Sequence, residues 1–271
     1  MTAEELVRAA DESFIASFRK LAQHVPEGET HEAGSIFSFV TGLPLSGFNG
    51  CVATQETSSD ELAVSLAWVA ARDVPFRVWV AEKLAAGLAE VPSSYALQPA
   101  ASLYPGMVLH PIPDPLAMSP GVSVVSILES SLEEFIGVLE ESGLRHELAM
   151  RLITPSFAAD PDVQLFVGRL DGKPVGTSIA IRSRDASGIY NVGTLPRARR
   201  RGVGSAVTWA AIEAGRAWGY DTIVLQSSVM GLSMYSAMGF RTVAPYVVFA
   251  DRPSASAALA STHTSGGGST Q

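Results

Sequence analysis

The chain has 271 residues, of which 47% are hydrophobic and 17% charged, and its formal net charge is -8. Such a composition excludes an intrinsically disordered chain and suffices for one large core or two moderate ones, with two domains the better expectation. The acidic balance disfavours general attraction to nucleic acid or to an anionic membrane, and a single cysteine, Cys51, rules out an intramolecular disulfide.

In chain order, Leu6, Ala9, Ala10, Phe14, Ile15, Phe18 and Leu21 recur at helical spacing, which predicts an amphipathic helix over residues 2–24, stopped by Pro26 and Gly28. Its acidic start lacks the basic and apolar pattern of a signal peptide, and no apolar run approaches the roughly 18 residues that span a bilayer. Together with the lone thiol in a reducing compartment, these features predict a cytoplasmic protein. Strands are expected at 35–40, 48–54, 76–80 and 107–112, with helices at 60–71 and 82–88. Alternating strands and helices imply an α/β (α+β) half with a mixed sheet. Pro99, Pro105, Pro111, Pro113, Pro115 and Pro120 make an interior element between residues 98 and 121 unexpected, and place a domain boundary at 118/119.

The second half opens with a strand at 122–128. Ser131 and Glu134 fit a capping box for a helix to Glu141, followed by a further helix or turn at 147–153. Asp171-Gly172 between the apolar runs 163–170 and 175–182 predicts a hairpin. Gly188 is expected to turn the chain into a strand at 189–194. A helix follows at 203–218, then a strand at 222–228, a short helix at 232–238 and a strand at 241–250. The small, polar residues 251–271 predict a disordered tail. Cys51 in an apolar run reads as a buried small hydrophobe. His24, His31 and His110 lack ligand spacing, so no metal is expected.

The chemistry is carried by I-Y-N-V-G-T-L-P-R-A-R-R-R-G-V-G-S, residues 189–205. A β-branched run ends at Pro196, arginines follow, and Gly202 and Gly204 lead into a helix. A strand, a tight loop and a helix start present backbone N–H groups to an anion at the positive end of the helix dipole. The pattern P-x-x-R-x-x-G-x-G at Pro196, Arg199, Gly202 and Gly204 lacks the Lys-Ser/Thr ending of a nucleotide-hydrolase P-loop. Further on, S-M-Y-S-A-M-G-F places Tyr235 four residues before Gly239.

In these features residues 120–250 resemble the GNAT superfamily of acyl-CoA-dependent N-acyltransferases. The resemblance implies a mixed, mostly antiparallel sheet flanked by helices, whose splayed central strands admit the pantetheine arm of acetyl-CoA. It implies that the backbone around Val192, Gly193 and Thr194 binds pantetheine, and that Arg199, Arg200, Arg201, Gly202, Val203, Gly204 and Ser205 wrap the diphosphate. Ser228 stands where the family often has Asn, as a further pantetheine contact. Tyr235 would be the general acid that protonates the departing thiolate, a task suited to a phenol that stays protonated at neutral pH. The activity implied is transfer of an acetyl group to a primary amine by direct attack in a ternary complex. A non-catalytic acyl-CoA sensor is the competing reading.

The fourth strand departs from the family by offering Tyr190 and Asn191 in place of a carboxylate, so water, His146 or Glu147 remain open as the route for the amine proton. Residues 1–118 read either as a degenerate GNAT-like copy of a tandem arrangement or as an unrelated α/β domain. After strand 48–54 they show Q-E-T-S-S-D-E-L, whose Glu56, Asp60 and Glu61 repel a diphosphate. The expected partner is a small-molecule or peptide amine, on a monomer or homodimer.

Overall fold

A computed structural model describes residues 1–115, 117–128 and 131–251. Apart from Asp251, the predicted tail lies outside the described residues. Helix α1, Ala3–His24, starts as predicted because Thr2 and Glu5 close a capping box: Glu5 N–H donates to Thr2 Oγ1 at 3.2 Å, and Thr2 N–H to the Glu5 carboxylate at 2.7 Å. Such a cap contributes about 1 kcal/mol. The first half continues with β1 (Glu29–Ala33), β2 (Ile36–Val40), β3 (Asn49–Ala53), α2 (Ser59–Ala70), β4 (Arg77–Ala81), α3 (Glu82–Leu88), α4 (Glu90–Ser94), β5 (Gln98–Pro99) and β6 (Tyr104–Leu109). The second half holds β7 (Val122–Ile127), α5 (Leu132–Glu141), α6 (His146–Leu152), α7 (Pro155–Ala158), β8 (Val163–Leu170), β9 (Lys173–Arg182), β10 (Ser187–Thr194), α8 (Val203–Ala217), β11 (Ile223–Gln226), α9 (Leu232–Ala237) and β12 (Arg241–Ala250).

Several expectations need correction. The polar strand β1 carries no apolar alternation, and α4, α7 and β5 are too short to leave a period. Strand β6 begins at Tyr104 and ends before Ile112, so it accommodates Pro105, which sits opposite Pro245 of β12. Ser131 makes no side-chain cap bond, and Glu134 does not close the other half of the box: its carboxylate accepts from Arg169 Nη2 at 2.7 Å and from Nε at 3.3 Å. Gly188 lies inside β10 and is not at a turn. Its absent side chain leaves room for Tyr190, whose hydroxyl a Cβ there would approach to 2.6 Å.

Among the described residues the strands join one 12-stranded sheet in the order β1-β2-β3-β4-β12-β6-β11-β10-β9-β8-β7, with β5 on β12. Two strands change sides. β6, from within the proline-rich segment, lies between β11 and β12, while β12, the last strand, pairs with β4. The two parts of the chain are therefore tied by main-chain ladders on both sides of the sheet's centre. Among the described residues the parallel pairs are β3 with β4 and β10 with β11, each joined through a helix, α2 or α8. This is the repeated unit of the fold.

Helix α1 lies across the middle of the sheet and touches strands of both parts, including β2, β6, β10, β11 and β12. Phe14 anchors it, with ring centroids 5.2 Å from Tyr246 and 6.0 Å from Trp79. One turn earlier, buried Asp11 accepts from the Tyr246 hydroxyl at 2.7 Å, and burial pushes its carboxyl up to about 6. Since that folded value exceeds the unfolded one, the proton's contribution to stability is complete below about pH 4 and is lost as pH rises through 6. Asp11→Asn keeps the acceptor oxygen without the charge. It is expected to be near neutral at pH 4 and to stabilise by about 2 kcal/mol at pH 8, because a tenfold change in proton affinity on folding corresponds to about 1.4 kcal/mol. Urea unfolding at the two pH values checks this; an equal effect at both would contradict it.

Candidate active site

Strands β10 and β11 pair in parallel only from Ser187–Ile223 to Ile189–Leu225. Beyond that point each strand follows its other neighbour. β11 stays with β6 through the Gln226–Gly106 pair, and Ser227 N–H donates to the Pro105 carbonyl at 2.8 Å. β10 stays with β9 through an irregularity between Tyr190 and Gly193, where Asn191 takes a φ of +51° and its carbonyl accepts from Thr177 Oγ1 at 3.0 Å. A bulge bends a strand and increases its twist. The β11-facing edge of residues 190–194 is left without a ladder, which exposes main-chain polar groups at Val192, Gly193 and Thr194. The pair β3–β4, by contrast, runs in register from Gly50–Arg77 to Ala53–Val80 with no bulge.

The loop after β10 is set by two left-handed residues, Arg200 at φ +58° and Gly202 at φ +84°. Gly202 precedes α8, which has no side-chain cap and no acid in its first turn, so among the described residues the N–H groups of Val203, Gly204 and Ser205 have no acceptor. The equivalent helix α2 is already satisfied: Ser58 and Glu61 form a capping box, and Thr57 also donates to Glu61 at 2.9 Å. Both glycines of the second loop occupy confined positions. A Cβ on Gly202 would meet Ser119 Oγ at 2.2 Å, and one on Gly204 would meet Met234 Sδ at 3.1 Å and Thr194 Oγ1 at 3.3 Å. Arg199 folds back, donating from Nε to the Thr194 carbonyl at 3.3 Å, and Arg197 pairs with Glu141. Arg200 and Arg201 are exposed and, among the described residues, without an acidic partner.

Tyr235, on α9, packs in one cluster with Ile189 of β10, Leu225 of β11, Met238 and Phe240, with Val192 and Met234 against it. The Phe240 ring stands edge-on 5.8 Å away. Gly231 makes room for the phenol, since a Cβ there would come within 2.8 Å of the Tyr235 ring. The ring is buried, and desolvation, with a smaller push from Tyr104, raises its pKa well above the usual tyrosine value. Its hydroxyl makes no hydrogen bond among the described residues. Ser228 is exposed, and its Oγ accepts from Gly231 N–H at 3.3 Å, capping the turn into α9.

A cavity of about 450 Å³ opens beside the strand gap, reached by Asn191 of β10 and Gln226 of β11. α1 supplies Phe14 and Phe18, β4 supplies Arg77 and Trp79, β6 supplies Tyr104, and α6–α7 supply Leu152 and Phe157. Both amide atoms of Gln226 are buried without a partner. Tyr190 borders the cavity, but its hydroxyl is held by α1, donating to the Ser13 carbonyl at 2.7 Å. Neither His146 nor Glu147 lines this space: both are exposed, and His146 pairs with Glu140, which raises its pKa. Sequence reasoning missed Arg77, Tyr104 and Gln226. A charged or amide side chain inside the apolar runs V-P-F-R-V-W-V and T-I-V-L-Q was the signal that could have found two of them.

Cys51 is fully buried, accepts from Ser38 at 3.4 Å, and its thiol is pushed up to about 12, so it is inert packing. Among the described residues no group of three or more His, Cys, Asp or Glu could hold a metal, and no helix is long and apolar enough to cross a membrane.

The parallel strand pair that parts over an uncapped, glycine-led helix lies within residues 140–228, and these residues match the family model described as the acetyltransferase (GNAT) domain. Solved structures extend the fold over nearly the whole chain. A GCN5-related N-acetyltransferase from Kribbella flavida is 20% identical over 94% of this chain and 98% of its own, with a TM-score of 0.65. A tandem GNAT protein from the clavulanic acid biosynthesis pathway is 13% identical over 94% and 98%, with a TM-score of 0.57. A GCN5-related N-acetyltransferase from Sphaerobacter thermophilus is 18% identical over 72% and 68%, with a TM-score of 0.55. At these identities the likeness is one of fold. No curated protein matches the chain significantly.

Proposed function

We infer that the protein is an N-acetyltransferase that moves the acetyl group of acetyl-CoA to a primary amine by direct attack in a ternary complex. The observation that carries this reading is the gap between β10 and β11, which ends at the open N-terminus of α8 on one side and at the buried hydroxyl-bearing Tyr235 on the other. Acetyl-CoA fits these residues. The unpaired edge at Val192, Gly193 and Thr194 suits the amides of the pantetheine arm, and the N–H groups of Val203, Gly204 and Ser205 suit a diphosphate. Arg200 and Arg201 add long-range attraction for the nucleotide phosphates, while Arg199 steadies the loop through Thr194. Ser228 keeps the turn that positions α9.

In the reaction the neutral amine nitrogen forms a bond to the thioester carbonyl carbon as the carbon–sulfur bond breaks. The amine's proton leaves to water, and Tyr235 gives its own proton to the thiolate, which departs as a thiol. Desolvation keeps the phenol protonated across the working range of pH. None of the residues lining the cavity is a carboxylate or a histidine, which favours water as the proton's exit.

Residues 1–118 are proposed as a degenerate GNAT-like half and residues 119–250 as the transferase half. The first keeps the strand–helix–strand unit but has a closed β3–β4 pair and an α2 N-terminus occupied by Glu61. One donor site per chain follows. Incubation with acetyl-CoA and a panel of primary amines, read by mass spectrometry, is expected to yield N-acetylated product for at least one amine. Tight acetyl-CoA binding with no product from any amine would contradict the reading.

A further inference from the structure

The cavity beside the strand gap is walled mostly by aromatic and aliphatic side chains, and Arg77 is the one charged residue among those lining it. Arg77 stands on β4, half-buried, in a chain whose net charge is -8. Its Nε donates to Ser46 Oγ at 3.0 Å, and among the described residues its two terminal nitrogens have neither a hydrogen-bond acceptor nor a carboxylate. Gly47 leaves the space beside them open: a Cβ placed there would find Nη1 as its nearest neighbour, at 3.9 Å. Two further groups on the wall are also unused. The Tyr104 hydroxyl has no hydrogen bond among the described residues, and the Gln226 amide is buried without partners at either end.

A half-buried guanidinium with two unpaired nitrogens facing an otherwise apolar cavity is suited to an anion, and its planar fork matches a carboxylate through two parallel N–H···O bonds. We propose that the acceptor carries a carboxylate, held by Arg77, on an aromatic or otherwise apolar body lying against Phe14, Phe18 and Trp79. This substrate class runs against the acidity of the chain as a whole, which would suggest a cationic acceptor. Gln226 lies at the β11 end of the cavity, where the strand gap opens, and its carbonyl and amide can fix the polar end that bears the amine.

The proposal rests on the reading of the chain as an N-acetyltransferase, and the test separates the two. Calorimetry with 3-phenylpropionate and with 3-phenylpropan-1-ol, on the full chain, measures the carboxylate preference without turnover. Wild type is expected to prefer the acid by ~10- to 100-fold, the scale of one bidentate charge-assisted contact. Arg77→Gln should abolish that preference and Arg77→Lys retain part of it, with acetyl-CoA affinity serving as the control for an intact fold. In turnover, 4-(aminomethyl)phenylacetate, whose amine and carboxylate lie at opposite ends of the ring, should exceed 4-methylbenzylamine in kcat/KM, with Arg77→Gln raising KM for the acid. Equal binding of acid and alcohol, or a preference that survives Arg77→Gln, would overturn the proposal even if amines are acetylated. An Arg77-dependent preference with no acetylation of any amine would support the anion site and remove the transferase reading.

Discussion

Gly202→Glu is expected to abolish acetyl-CoA binding while the fold survives. Three effects act together at this position. The residue holds φ at +84°, a conformation that costs an L side chain about 1 to 2 kcal/mol. A side chain there must displace Ser119, whose Oγ stands 2.2 Å from the position of a Cβ. The carboxylate then lies at the N-terminus of α8, where it competes for the same N–H groups as the diphosphate and repels it. Loss of two charge-assisted bonds corresponds to an affinity drop of at least ~100-fold. The strain is local, so far-UV circular dichroism should be unchanged. Wild-type affinity in this variant would remove the loop from the donor site.

Tyr235→Phe is expected to lower kcat by about 10²- to 10⁴-fold, the range of a positioned general acid. The ring's packing against Phe240, Met238 and Leu225 is preserved by phenylalanine, so acetyl-CoA affinity and thermal stability should stay near wild type. Because burial raises the phenol's pKa, wild-type kcat should show no alkaline loss near the ordinary tyrosine value and should rise with deprotonation of the amine. A kcat unchanged by the substitution would mean that Tyr235 only packs. The thiolate would then leave without help from α9.

The loop and tyrosine proposed as the donor side stand out in the sequence because their parts are local. Gly202 and Gly204 mark the close approaches, Pro196 ends the strand, and Tyr235 falls at a fixed distance before Gly239. The bulge at Asn191 was less visible, since a polar residue in a strand is common and its φ of +51° has no signature of composition. The cavity was not legible: Phe14, Arg77, Tyr104, Tyr190 and Gln226 come from five elements, and only the sheet's order brings them together. That order was itself hidden. Apolar periodicity says which face of a strand is buried but not which strand lies beside it, so nothing in Y-P-G-M-V-L marks β6 as a partner of β11. The capping box expected at Ser131 is absent as well, and Arg169, distant in sequence, takes up Glu134.

The most direct test of a single donor site built at the β10–β11 gap is amide hydrogen exchange with and without saturating acetyl-CoA. Protection is expected across residues 192–206, where the strand edge, the loop and the first turn of α8 meet the ligand, with none across residues 54–62, where α2 is capped by its own Glu61. Protection of 54–62, or no change at 192–206, would contradict the account.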